Sequence, residues 1–241
     1  VSIDIGPPEM VSVKIFSSNQ DSSWSKVDDS VSVYFVVNEP LKLDGNPASS
    51  LKIGGNSVDM YNVENTNYQG DYVMTDSDTE GEVSFEISFY DLGSQAGNDG
   101  TPIQATTNNS RVIFDKTNPG ITAAAFTTNN VYEDSLAKID DVGEITISFN
   151  ENIRTISTLL NDYEIALSGN GQDYSYDYTF SDTNNNGTIL LNMLASDSAG
   201  NQSDTLIDRV YFDKTVPQLS FIFEGSINED KVYSKYNPNE R

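Results

Sequence analysis

One stretch recurs three times and limits the possible folds more than any other feature of the chain. In the middle, residues 112–122 read VIFDKTNPGIT; residues 210–220 read VYFDKTVPQLS; a degraded copy at the start, residues 1–11, reads VSIDIGPPEMV. Each copy is an alternating apolar segment, then an Asp (Asp4, Asp115, Asp213), then a Pro four positions on (Pro8, Pro119, Pro217), then a new apolar segment. Asp4 and Asp115 stand 111 positions apart, Asp115 and Asp213 98. A period of about 100 residues, punctuated by the same joint, describes an array of small domains in series. Proline fixes φ and withholds an N–H, so the joint ends one sheet and lets the next begin.

Composition narrows what such domains can be. Of 241 residues, 37% are hydrophobic, enough for two ordinary cores. The 13 Tyr and 11 Phe, with many Val, Ile and Thr, favour strands over helices. Net charge is −24, so there is no basic footprint for nucleic acid, and anionic membrane surfaces are disfavoured. The acidity serves solubility, or some of it gathers divalent cations. Cys is absent, which removes disulfides and thiol chemistry. No run of about 18 apolar residues offers a membrane span, and no leader is visible. Residue 1 falls inside the repeat pattern, so the chain reads as an excerpt from a longer one.

Alternation places the strands. In the first unit, Val11, Val13 and Ile15 alternate, then Val31, Val33, Phe35 and Val37. Leu51 and Ile53, then Val58 and Met60, flank the turn Gly54-Gly55-Asn56, and Val83, Phe85, Ile87 and Phe89 form the clearest strand. The second unit repeats this with Ile145, Ile147 and Phe149, then Tyr174, Tyr176, Tyr178 and Phe180, then Ile189, Leu191, Met193 and Ala195. About seven short strands per unit, with turn signals between, is the pattern of an antiparallel β-sandwich. The expected division is 1–8 as the linker of a preceding repeat, 9–117 and 118–215 as complete domains, and 216–241 as the start of a third. The last segment is too short to bury a face by itself.

The recurring parts carry a resemblance. They are Lys26 to Asp29, Asn38-Glu39, Asp78 to Gly81, Asp91, Ala96-Gly97-Asn98, and the joint at 112–119. In the second unit they are Lys138 to Asp141, Asn150-Glu151, Asp197, Ala199-Gly200-Asn201, and the joint at 210–217. This order resembles the bacterial Ig-like repeats of large secreted and cell-surface, adhesin-type proteins. It implies an all-β fold of tandem Ig-like antiparallel β-sandwiches. The expected role is a spacer or stalk at the cell surface or outside the cell, partnered by neighbouring Ig-like repeats. The alternative is a module that binds carbohydrate or a receptor protein. The first unit departs from the pattern by extra residues between Asp91 and Asn98.

Catalysis is poorly served. Without His or Cys there is no Ser-His-Asp triad, Cys-His dyad or His-ligated zinc. No phosphate-binding Gly loop or nucleophile elbow occurs. The expectation is a non-enzyme. Residues 76–81, DSDTEG, open like an EF-hand loop, but position twelve is Ile87, mid-strand, so an acidic turn is the simpler reading. Residues 182–187 behave alike, with Met193 at that position.

The joint is the better metal candidate. In an Ig-like sandwich the strands ending at Asn38-Glu39 and at Asp91 both run toward the incoming linker, which carries Asp4. In the second unit, Glu151 and Asp197 should likewise meet Asp115, with Asp78 or Glu80 approaching from the first unit and Asp213 marking the next joint. Several carboxylates from distant segments suit Ca²⁺, which takes 6–8 oxygens. The competing reading is that these Asp side chains hydrogen-bond turn backbones. Without the ion the short linker is expected to act as a hinge. Sequons at Asn108, Asn186 and Asn201 arise readily by chance in so Asn-rich a chain; if used, they would be surface sugar sites. Trp24 reads as a partial core plug, and Tyr174, Tyr176 and Tyr178 as a half-buried strand face.

Overall fold

The computed structural model describes residues 7–92 and 102–220. The first unit contains β1 (Met10–Ser17), β2 (Trp24–Ser25), β3 (Ser30–Val37), β4 (Ser50–Ile53), β5 (Asn56–Val58), β6 (Met60–Glu64), β7 (Asn67–Val73), β8 (Gly81–Glu82), β9 (Phe85–Ser88) and β10 (Ile113–Phe114). The second contains β11 (Ile121–Thr128), β12 (Leu136–Ala137), β13 (Val142–Phe149), β14 (Thr155–Leu160), β15 (Tyr163–Ile165), β16 (Ser168–Asn170), β17 (Asp173–Thr179), β18 (Gly187–Ser196) and β19 (Gln202–Phe212). No helix occurs among the described residues, and none is therefore long and apolar enough to cross a membrane. The fold is a pair of Ig-like antiparallel β-sandwiches.

Each unit faces one sheet against another. The first sheets match strand for strand: β1-β3-β7-β6 and β11-β13-β17-β16. Both first strands slip register near their start, at Met10/Ser12 and Ile121/Ala123. In each unit a two-residue strand pairs in parallel with the closing strand, Trp24 with Ile113 and Leu136 with Tyr211. Period-two alternation turns Val13, Ile15, Val31, Val33, Phe35 and Val37 into one core and Ile145, Ile147, Phe149, Ile189, Leu191 and Met193 into the other. Burying each such side chain contributes about 1.5–3 kcal/mol. As expected, the three Tyr of β17 are half-buried against the second core.

The opposing sheets differ. In the second unit, β12-β19-β18-β14-β15 is continuous; in the first it is split into β2-β10-β8 and β5-β4-β9. The counterpart of the ten-residue β18 is broken between Glu82 and Phe85. Twenty-four positions separate Asp91 from Asp115, but only 16 separate Asp197 from Asp213, so the first unit cannot keep the same pairing along its closing strand. The expected seven strands are thus cut into more pieces. The cores also differ: Gly143 stands where the first unit has Val31, and a Cβ there would meet the Phe126 ring at 2.8 Å and the Phe180 ring at 3.1 Å. The missing side chain makes room for the stacked pairs Phe126–Phe180 and Phe180–Phe212.

Candidate metal centre

The joint is built from three strand ends. Phe114 ends β10, and Asp115 follows with its N–H on the Ser25 carbonyl (2.9 Å). Phe149 ends β13, where the Asn150 N–H reaches the Gly120 carbonyl (2.9 Å) and its Oδ1 accepts from the Gly120 N–H (2.7 Å). That reciprocal pair ties the linker to the strand and leaves Glu151 beside it. Ser196 ends β18, and Asp197 begins a turn in which Gly200 takes φ +83°, a conformation open to glycine.

These ends bring Asp115, Glu151 and Asp197 together, each offering an oxygen, with all three oxygens within 4.8 Å of one another. Asp197 is 1% exposed; the other two are half-buried. Glu80, from the first unit, accepts from the Lys116 N–H (2.9 Å) and the Thr117 hydroxyl (2.7 Å). Those two bonds, the hydroxyl foremost, hold its carboxyl below the ordinary range. Burial, then the charges of Asp115, Asp197 and Glu80, push Glu151 up to about 7. Burial first, with the charges of Asp197 and Glu80, also raises Asp115 against the opposing Thr117 N–H. Carboxylates that resist ionisation in this way are buried and set among like charges. None of the ion pairs among the described residues involves Asp115, Glu151 or Asp197; Lys116 pairs with Asp76 and Arg154 with Asp21.

Asn201 organises the cluster. Its N–H donates to Asp197 Oδ1 (2.9 Å), and its Nδ2 donates to Asp197 Oδ2 (2.9 Å) and to the Asp115 carbonyl (3.0 Å). The Ser203 hydroxyl binds the Pro119 carbonyl. Asn201 is therefore no glycan acceptor in the folded chain, because its amide nitrogen is buried and committed. Asn186 also uses its Nδ2, on the Thr215 hydroxyl (2.6 Å), whereas exposed Asn108 accepts from the Ser110 N–H (3.1 Å) in its own turn.

The remaining candidates lie elsewhere. Asp78 does not join the cluster: its carboxylate accepts from the Thr75 N–H (2.7 Å), the Tyr72 hydroxyl (3.1 Å) and Asn56 Nδ2 (3.3 Å), which turns it into its own loop. Asp28, at φ +73°, is a turn residue with its N–H on the Met74 carbonyl. Glu39 and Asp91 sit at the opposite end of the first unit, Asp91 bridged to Leu41; Asp4 and residues 96–98 lie outside the described residues. Asp213 closes the second unit, accepting from the Thr215 N–H (2.7 Å). Residues 76–81 make a turn, and Ile87 is fully buried.

Two features escaped the sequence reading. One is the clasp made by the Lys-Thr pair after each joint Asp: Lys116 Nζ caps the Asp76 and Asp78 carbonyls, as Lys214 Nζ caps that of Asp182. The recurrence of the pair was the available signal. The other is a direct latch between the units. Asn19 Nδ2 donates to the Ala199 carbonyl (2.8 Å), Lys26 Nζ to the Gly200 carbonyl (3.0 Å), and Arg154 to Asp21 (3.5 Å). The linker is accordingly flanked by this latch as well as by the acidic cluster.

No family model matches the chain, and no curated protein matches it. Among solved structures it is similar to the fibronectin(III)-like modules of CbhA from Clostridium thermocellum (10% identity, 88% of this chain and 99% of that one, TM-score 0.38). It is also similar to DIP-gamma IG1+IG2 (9%, 88% and 99%, TM-score 0.36) and to the I9–I11 tandem of titin (14%, 84% and 66%, TM-score 0.32). The likeness is one of fold class.

Proposed function

We propose that the chain is a non-enzymatic stalk segment of a larger cell-surface, adhesin or appendage protein, with Ca²⁺ stiffening the joint between its sandwiches. The observation that carries this reading is the convergence of Asp115, Glu151 and Asp197, from the linker and two strand ends, within 4.8 Å. The donor set suits a hard cation: three carboxylates, each able to bind through one or two oxygens, with Glu80 adjacent; water would complete the 6–8 ligands that Ca²⁺ takes. The ion would neutralise mutual repulsion that otherwise disfavours the docked linker. Asn201 would orient Asp197 without ligating. Titration calorimetry on the 241-residue chain is expected to show one tight Ca²⁺ site. Absence of heat and of any calcium retained after dialysis would leave Asp115 a turn residue.

A second reading has one observation in its favour. A cleft of about 750 Å³ lies beside the β14–β15 hairpin, lined by Tyr163, Tyr178, Asn161, Asp162, Asn184 and Asn192. Tyr163 is 79% exposed there. An exposed aromatic beside amides and a carboxylate is suitable chemistry for a saccharide. Tyrosine fluorescence titrated with oligosaccharides, in the chain and in Tyr163→Ala, tests it; unchanged emission would remove this reading.

A further inference from the structure

The loop that latches the first unit to the second has a counterpart in the second unit. In the first, the Asn19 N–H binds Ser17 Oγ, Asn19 Oδ1 accepts from the Asp21 N–H, Asn19 Nδ2 reaches Asp29 (2.7 Å), and the Lys26 N–H reaches Asp29 (2.9 Å). In the second, the Asn130 N–H binds Thr128 Oγ1, Asn130 Oδ1 accepts from the Tyr132 N–H, Asn130 Nδ2 reaches Asp141 (2.7 Å), and the Lys138 N–H reaches Asp141 (3.0 Å). Two differences follow. Lys26 Nζ extends to the next unit's Gly200 carbonyl, whereas Lys138 Nζ folds back onto Asp141 (2.8 Å). Gln20 and Asp21, which face the neighbouring sandwich, are replaced by Val131 and Tyr132, exposed to 85% and 91%.

The chain beyond this end also repeats the first joint. The Asp213 N–H binds the Ala137 carbonyl as the Asp115 N–H binds that of Ser25. The Lys214 N–H binds Asn186 as the Lys116 N–H binds Glu80. Leu219 stands six residues after Asp213, as Ile121 stands six after Asp115, and Leu219, Phe221 and Phe223 alternate.

We propose that the end of the second sandwich formed by Val131, Tyr132, Lys138 and the clasp at Asp213–Asn186 is a docking face for a third sandwich whose first strand begins at Leu219. This rests on the serial-module reading above. The face has the same frame as the end that holds the second unit, but its chemistry is changed. Two large apolar side chains replace Gln20 and Asp21, and Asn186 replaces the Glu80 carboxylate. The occupant presents backbone carbonyls at a glycine turn, as residues 198–200 do. An Arg in the place of Arg154 would stack on the Tyr132 ring instead of pairing with an Asp. Docking here is driven by apolar burial and depends less on a cation than the first joint.

The test is a chain of residues 1–218 followed directly by a second copy of residues 121–220, studied throughout in chelator so that the calcium reading plays no part. Amide exchange at Val131 and Tyr132 is expected to slow at least about tenfold relative to the 241-residue chain. Val131→Gly with Tyr132→Gly should lose that protection, because it removes the apolar face. A companion chain, residues 1–218 followed by residues 10–117, asks the same with the first sandwich as occupant should the first chain not fold. Rates at Val131 and Tyr132 unchanged in a folded three-unit chain would overturn the proposal.

Discussion

The two clasps of this molecule are built alike and charged differently. At each, an Asp after the closing strand caps its own turn, a Lys binds carbonyls of an acidic loop, and a Thr reaches the residue before a glycine. That residue is Glu80 at the first clasp and Asn186 at the second. The hydrogen-bond frame survives the exchange, since a carboxylate and a carboxamide oxygen both accept from the Lys N–H. The frame therefore does not require the carboxylate; its charge is an addition. At the first clasp that charge falls beside three more acids, and burial, with the added repulsion of these like charges, raises Glu151 and Asp115. Structure and charge are separable here, and each can be altered without the other.

The largest effect should come from removing an acid at the centre of the cluster. Glu151→Gln keeps the shape and removes a ligand charge, so calcium affinity is expected to fall by at least about 100-fold, more than loss of an outer partner alone. Asp213→Asn, at the other clasp, should leave the calorimetric titration unchanged. Equal losses in the two variants would erase the distinction between the clasps.

Acidity gives the next effect. Glu151 in the metal-free fold titrates near 7, above its ordinary 4.5. The folded joint therefore binds more protons than the open chain between those values, and metal-free stability declines as pH rises through that window. Calcium must displace the proton, so affinity should rise about tenfold per pH unit up to about 7 and then level. Calorimetry between pH 5 and 8 checks this; a flat profile would mean that Glu151 is not a ligand.

Exchanging the residue that distinguishes the clasps should have a smaller effect. Glu80→Asn is expected to weaken calcium binding about tenfold while preserving the fold, because Glu80 lies beside the three converging acids. Asn186→Glu should not create a site in the 241-residue chain. Smaller still is the latch: Lys26→Met, which removes the bond to the Gly200 carbonyl, is expected to cost under about 1 kcal/mol in urea unfolding, since that bond lies in a partly solvated position. A loss above about 3 kcal/mol would mean that the latch, not the cluster, holds the units together.

Much of this was legible in the residues. Alternation in β3, β9, β13 and β18 marked the sheets because one face of each is buried and strand geometry has period two. The meeting of Asp115 with Glu151 and Asp197 followed from strand direction, since both β13 and β18 run toward the incoming linker. Asp78 was misplaced because its competing partners, Thr75, Tyr72 and Asn56, come together only in the folded loop. Asn201 was read as part of the recurring Ala-Gly-Asn and as a sequon, and its bonds to Asp115 and Asp197 form only once the turn after β18 is folded. The Asn19–Ala199 contact spans 180 positions between two loops, and no periodicity reports on such a pairing.

In the proposed role, calcium sets the stiffness of the first joint. Small-angle scattering of the 241-residue chain, in calcium and then in chelator, tests it most directly when circular dichroism is followed in the same samples. The expected result is a longer and narrower distance distribution in calcium, a shorter and broader one in chelator, and an unchanged strand signal. The latch should keep the change partial. Identical distributions in the two conditions would contradict the claim.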